Sequence, residues 1–119
     1  MLLMDQPTFT GCMVRSRLLG VIEAEQTEED GTSERNDRII AVSFESRQFE
    51  DVQSVKHLAP HMMKEIETFF VNYNRQFNRK FKVIDLRGPH HAETLAEKGM
   101  KAYAKRHHRG RRAKRRRGK

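Results

Sequence analysis

The 119-residue chain has no tryptophan, one cysteine, three prolines and nine aromatic residues, and it carries no acidic residue after Glu97. Each shortage excludes something. The lone Cys12 forms no internal disulfide, and a single thiol in such a chain is expected to be buried and inert. No stretch approaches the eighteen or so uncharged apolar residues that span a bilayer. The opening MLLMDQPTF has neither the basic start nor the apolar run of a secretory signal, so a cytoplasmic location without a membrane partner is the expectation. With 36% apolar and 34% charged residues, the chain can build one modest core. P-loop, dinucleotide and nucleophile-elbow motifs are missing. His57 and His61 flank Pro60 without an HExxH carboxylate, and the adjacent pairs His90-His91 and His107-His108 diverge on any regular element, so none makes a metal-ligand set.

The charge that is present is unevenly placed. The formal net charge is +8, yet residues 101–119 hold eleven Lys or Arg and no acid, which leaves thirteen basic against sixteen acidic residues in 1–100. The body is mildly acidic. Residues 105–119, KRHHRGRRAKRRRGK, have no apolar face and are expected to be a disordered basic tail, with nucleic acid or another polyanion as its partner, because cations that meet phosphates release counterions.

The chemistry of the body concentrates in residues 17–42, RLLGVIEAEQTEEDGTSERNDRIIAV. Two apolar runs flank a stretch of acids, amides and arginines. The first run belongs to a strand over 11–24, with Val14, Leu18 and Ile22 on one face and Gly20 marking a bend. The second, Ile39–Val42, is β-branched and reads as another strand. About fifteen polar residues between them exceed a tight hairpin, and loops of that length on a sheet are commonly functional.

Elsewhere the pattern gives a short strand at Leu2–Met4 and a helix from Pro60 to Tyr73. Leu58, Met62, Ile66, Phe69 and Tyr73 form the core-facing stripe of that helix. A short strand follows at Phe81–Ile84, and a second helix runs from Pro89 to about Tyr103 with a thin stripe of small residues.

The ordered series LGVIEAEQ, NDRIIAV, a helix ending FFVNYN, then KFKV and GP before a last helix resembles the soluble family I inorganic pyrophosphatases over residues 1–104. The resemblance implies an α+β, mainly β fold: a five-stranded OB-type barrel, here incomplete and matching the C-terminal part of the family, with two helices packed outside. It also implies Mg²⁺-dependent hydrolysis of pyrophosphate to two phosphates, with carboxylates holding the metals and basic and Tyr side chains holding the phosphates. Carried over position by position, the metal-ligand places fall on Gln26 and Asn36, where the family has Asp, and the phosphate-binding places on Arg38, Tyr73 and Asn74. Asp30 and Asp37 are the nearby acids that could be re-registered as catalytic and metal-binding carboxylates. The family's upstream Asp-rich segment would lie before residue 1, so the chain alone is expected to hydrolyse negligible pyrophosphate, and an incomplete barrel leaves edges that invite homo-oligomer formation. The alternative is a non-catalytic OB-type protein that binds nucleic acid or another polyanion through Arg35, Arg38 and the basic tail.

Overall fold

The computed structural model describes the backbone of residues 1–117 and the side chains of residues 1–108. Its longest strand, β2 (Ser16–Thr27), organises the sheet. Leu19, Val21, Ile22 and Ala24 are all fully buried, so the middle of β2 is covered on both faces, and this is why it reads as an apolar run rather than a clean alternation. β4 (Arg38–Ser43) pairs antiparallel with its first half, Arg17 opposite Val42 and Ile22 opposite Arg38. β5 (Lys80–Arg87) pairs antiparallel with its second half on the other edge, from Val21 opposite Arg87 to Thr27 opposite Lys80. The short β3 (Ser33–Arg35) pairs with the end of β2, and β1 (Leu2–Leu3) adds in parallel to β4. Among the described residues no pairing joins β1 to β5, so the five strands form an open sheet. The expected class, mainly β with two helices, is the class that forms.

The polar stretch between β2 and β4 is not a long loop. β2 begins at Ser16, after an exposed turn around Gly11, and continues past Ala24 to Thr27. A turn of five residues then closes it: Glu28 N donates to Thr32 O at 2.8 Å and Gly31 N to Glu28 O at 3.0 Å, with Gly31 at φ +87°. Thr27 and Ser33 hydroxyls meet at 2.8 Å across the pair. Polar side chains disguised this hairpin because its tip has no core to face, so apolar periodicity is absent where backbone pairing persists. Cys12, expected to be buried, is exposed in the turn before β2.

The connection from β4 to the first helix is held by two charged side chains. Arg17 donates to the carbonyls of Val52 and, at 2.7 Å, Phe49, while Asp5 accepts from Ser46 Oγ at 2.6 Å and Arg47 N at 2.8 Å. These bonds place Phe49 and Val55 in the core with Ile40, Val42, Leu58, Ile66, Phe70 and Phe81.

Helix α1 (Pro60–Arg75) starts at its proline, whose missing N–H costs nothing in the first turn. Its buried residues are Ile66, Phe70 and Asn74, one helical turn apart. Phe69 and Tyr73, expected on the core stripe, are instead about half exposed and stack on each other with ring centroids 6.1 Å apart. Two aromatic ridges one residue apart satisfy the same spacing, and only the position of the sheet chooses between them. The helix stops where Asn78 takes φ +56°: Asn78 N donates to Arg75 O and Arg79 N to Asn74 O, each at 3.0 Å.

Helix α2 (Pro89–Arg117) packs only its first turns. Ala92 is fully buried, Leu95 and Ala96 are half-buried, and every side chain from Glu97 to His108 is exposed. The backbone is helical through Arg117, within the segment expected to be a disordered basic tail, and residues 118–119 of that segment lie outside those described. Lys, Arg and Ala are good helix formers, and a helix already nucleated by its packed turns extends without a new nucleation cost.

Candidate functional site

At the end of β2 the structure brings Gln26 and Asn36 into contact. Gln26 is 5% exposed, and its Oε1 accepts from Asn36 Nδ2 at 2.6 Å. Gln26 Nε2 donates to Glu28 Oε1 at 2.5 Å, and Glu28 Oε2 accepts from Arg79 Nε at 2.8 Å. The result is one chain of side chains, Asn36 to Gln26 to Glu28 to Arg79, that links the β2–β3 hairpin to the turn after α1. The left-handed Asn78 is what carries Arg79 to that place. Glu28 and Arg79 carried no sequence signal; the ion pair spans 51 residues and exists only after the helix turns back.

The two acids proposed as replacement ligands are occupied elsewhere. Asp37 Oδ1 accepts from Ala24 N at 3.1 Å and from Arg35, which also reaches Oδ2. It fills the gap in the ladder where β3 gives way to β4, and Asn36 N closes the other side by donating to Ala24 O at 2.9 Å. Asp30 accepts from Thr32 N at 2.9 Å inside the exposed turn, and its bonds to Thr32 hold its carboxyl below the usual range. Neither carboxylate makes a hydrogen bond with the Gln26–Asn36 pair.

A second cluster escaped the sequence reading. Glu23 is 7% exposed, and its two oxygens accept from Arg87 Nε at 2.6 Å and Arg35 Nη2 at 2.8 Å, with His91 Nε2 at 3.8 Å. Its carboxyl is held below the ordinary value by the Arg87 hydrogen bond first and by Arg35 next, against the opposing effect of burial. Read as a strand with one solvent face, β2 places Glu23 outside with Arg17; the second layer over β2 turns that face inward. Glu23 is therefore the pin between β2, β3, β5 and the start of α2. A depressed carboxylate pKa contributes stability above its unfolded value of about 4.3, and the contribution disappears as pH falls through the folded value. Glu23→Gln is accordingly expected to lower the urea midpoint at pH 7 and to match the wild type in acid well below the usual carboxylate range. A deficit of equal size at both ends would show that the charge is not the cause.

Arg38 lies on the apolar side of the same strands. Its guanidinium carbon is 5.2 Å from the Phe70 ring centroid and 5.8 Å from that of Phe81, and its buried Nε has no hydrogen-bond partner. It opens onto a cleft of about 550 Å³ lined by Met1, Asp37, Arg38, Ile39, Phe69 and Phe70. Tyr73, half exposed, stands in the aromatic row with Phe69 and Phe77. Asn74 is only 1% exposed and its amide donates to Phe70 O at 2.8 Å, so it is a helix-packing residue out of reach of a substrate. Sequence transfer alone could not separate a buried amide from an exposed one at the end of a helix.

The arrangement of strands, hairpin and helices matches known proteins. The family model for inorganic pyrophosphatase matches residues 1–104. The chain belongs to the inorganic pyrophosphatase family. It is 32% identical over 105 residues to soluble inorganic pyrophosphatase 3 of Arabidopsis thaliana, covering 87% of this chain and 46% of that one. It is 29% identical over 103 residues to the inorganic pyrophosphatase of a Nostoc strain, covering 87% and 58%. The solved inorganic pyrophosphatase of Helicobacter pylori superposes with a TM-score of 0.72 at 27% identity, over 87% of this chain and 59% of the other. The chain thus spans about half the length of the pyrophosphatases it matches.

Pyrophosphatases generally use a divalent metal, and the described residues of this chain do not fit one. Gln26 and Asn36, to which the resemblance assigns the carboxylate places, are neutral and joined by a direct hydrogen bond in which Gln26 Oε1 is the acceptor. Among the described residues no group of three or more His, Cys, Asp or Glu could hold an ion. An amide offers one carbonyl acceptor and no charge, which is too little to draw Mg²⁺ out of its hydration shell.

Proposed function

We propose that this chain is a pyrophosphatase-family unit that retains contacts for phosphate but does not by itself carry out the family's hydrolysis. The family reaction is attack of water on one phosphorus of pyrophosphate, breaking the bridging bond to give two phosphates, with Mg²⁺ as the cofactor of the whole protein. The observation that carries the reading is the Gln26–Asn36 bond, which closes with two amides the place where the family pattern puts two acids. Arg38 supports the retained half of the function: a guanidinium seated on two rings, with an unpartnered Nε, can donate from its outer edge to a pair of phosphate oxygens. Tyr73 is the second phosphate contact in this reading, and the cytoplasm is where pyrophosphate would be met.

Phosphate release from pyrophosphate with Mg²⁺ tests it. The 119-residue chain is expected to stay at the uncatalysed rate, while a version extended upstream by the part of a relative's fold that this chain does not match is expected to show turnover only if acids stand at 26 and 36. Turnover by the chain as it stands overturns the proposal. Retained phosphate handling has its own readout, because Arg38→Ala should weaken pyrophosphate binding in a titration without metal by roughly tenfold, the loss of one charge-assisted contact of about 1.4 kcal/mol.

A second reading rests on the charge of residues 101–119. It makes the protein a binder of polyanions, independent of whether the sheet site hydrolyses anything.

A further inference from the structure

From Glu97 to His108 every side chain of α2 is exposed, and Met100 and Tyr103 are 64% and 66% exposed, so this part of the helix is not packed against the body among the described residues. Helical backbone nevertheless continues to Arg117, adding roughly 30 Å beyond Ala96 at 1.5 Å per residue. The sequence of this projecting part, EKGMKAYAKRHHRGRRAKRRR, places ten Lys or Arg in residues 101–117 with no acid after Glu97.

Two physical consequences follow. Like charges three and four residues apart destabilise an isolated helix by a few tenths of a kcal/mol per pair. Here such pairs recur, at 101 and 105, 105 and 109, 112 and 116, so the projecting helix is strengthened by whatever neutralises them. The apolar residues of this part, by contrast, give only one short i, i+3, i+4 set, Met100, Tyr103 and Ala104, and from 105 to 117 Ala113 alone is apolar, so no continuous apolar face runs along the basic segment. A helix that lies in a membrane surface needs an apolar face to insert, and a helix that fills a protein groove needs the same. A groove walled by phosphates on both sides needs neither. The major groove of B-form DNA is about 12 Å wide and admits a helix of about 10–12 Å, whereas the corresponding groove of A-form RNA is too narrow.

We infer that the projecting half of α2 is a nucleic-acid-binding arm that docks as a helix in the major groove of duplex DNA through phosphate contacts without reading base sequence. This deepens the polyanion reading and stands apart from the proposal for the sheet site, because among the described residues none of 97–108 lines the cleft beside Arg38.

The test is fluorescence anisotropy of the full chain on a 20-base-pair DNA duplex across a salt series. About six phosphate contacts give a slope of log K against log salt near −5. A variant with Lys105, Arg106, Arg111, Arg112, Arg115 and Arg116 all replaced by Gln keeps helix propensity and is expected to lose binding by more than a hundredfold. Ala104→Pro keeps every charge but breaks the helix at an exposed position; it is expected to weaken duplex binding roughly tenfold while circular dichroism loses the helicity gained on adding DNA. Pyrophosphate titration of both variants should match the wild type, which separates failure of the arm from failure of the sheet site. A slope near zero, full binding by the Gln variant, or unchanged binding by Ala104→Pro would overturn the inference. So would tighter binding to the RNA duplex, or to phosphatidylserine vesicles, than to DNA.

Discussion

Gly20→Ala is expected to destabilise the protein by more than about 3 kcal/mol, enough to unfold a domain of ordinary stability at a temperature where the wild type is intact. A Cβ at this position would stand 2.1 Å from Arg87 O and 2.6 Å from Val55 Cγ1, and the residue has φ +155°. The first contact is with backbone, so no rotamer change relieves it. β5 must move away from β2, at the point where Val21 and Arg87 pair. The register of β2 against β4 also shifts between Leu18 and Gly20, so the strand bends here to hold neighbours on both edges. Moving Arg87 loosens its bond to Glu23 as well. Thermal or urea unfolding measures the loss, and a change below about 1 kcal/mol would show that the sheet can open at this point without cost.

The second large effect concerns metal. Gln26→Asp combined with Asn36→Asp would place two carboxylates where two amides touch at 2.6 Å, beside Glu28 and with Arg79 as the nearby cation. Two like charges about 4 Å apart repel by about 4 kcal/mol at an effective dielectric of 20. Without metal, the double variant is therefore expected to be less stable than wild type by about 2–4 kcal/mol. Adding Mg²⁺ or Mn²⁺ should reverse much of that, since a ligand at a hundred times its dissociation constant contributes about 2.7 kcal/mol. Wild type should not respond to either ion. A thermal shift series with and without metal decides it: the same metal response in wild type would mean that the chain already holds a cation, and no response in the variant would mean that the hairpin does not bring three acids into one coordination sphere.

The contrast between these two sites shows what was legible beforehand. Gln26 and Asn36 were identified from their places in an ordered series of strands, and the structure brings them into contact. Their bond to each other was not legible, because the register of a hairpin tip without apolar alternation is set by backbone pairing. Strict alternation along β2 would put Glu23 on a solvent face, for a related reason. Alternation reports one covered face, and β2 is covered on two. Tyr73 and Asn74 were adjacent candidates, yet one is half exposed and the other is buried, a difference of one helical step that depends on where the sheet lies.

By itself the sequence determined the mainly β class, the two helices, the family, and the segregation of positive charge to the C-terminal end. These follow from local quantities: apolar period, proline and glycine punctuation, charge per segment, and the order of recognisable pieces. Tertiary structure alone decided the partners of each charge. Arg35, Arg79 and Arg87 meet Glu23, Glu28 and Asp37 across separations of 2 to 64 residues, and the two amides meet across ten. It also decided how the basic segment continues the last helix, because only the packed first turns of α2 supply the nucleus from which that helix extends. The polar stretch between β2 and β4 is accordingly a paired hairpin whose amides bond each other, and its chemistry is set by contacts that no spacing in the sequence encodes.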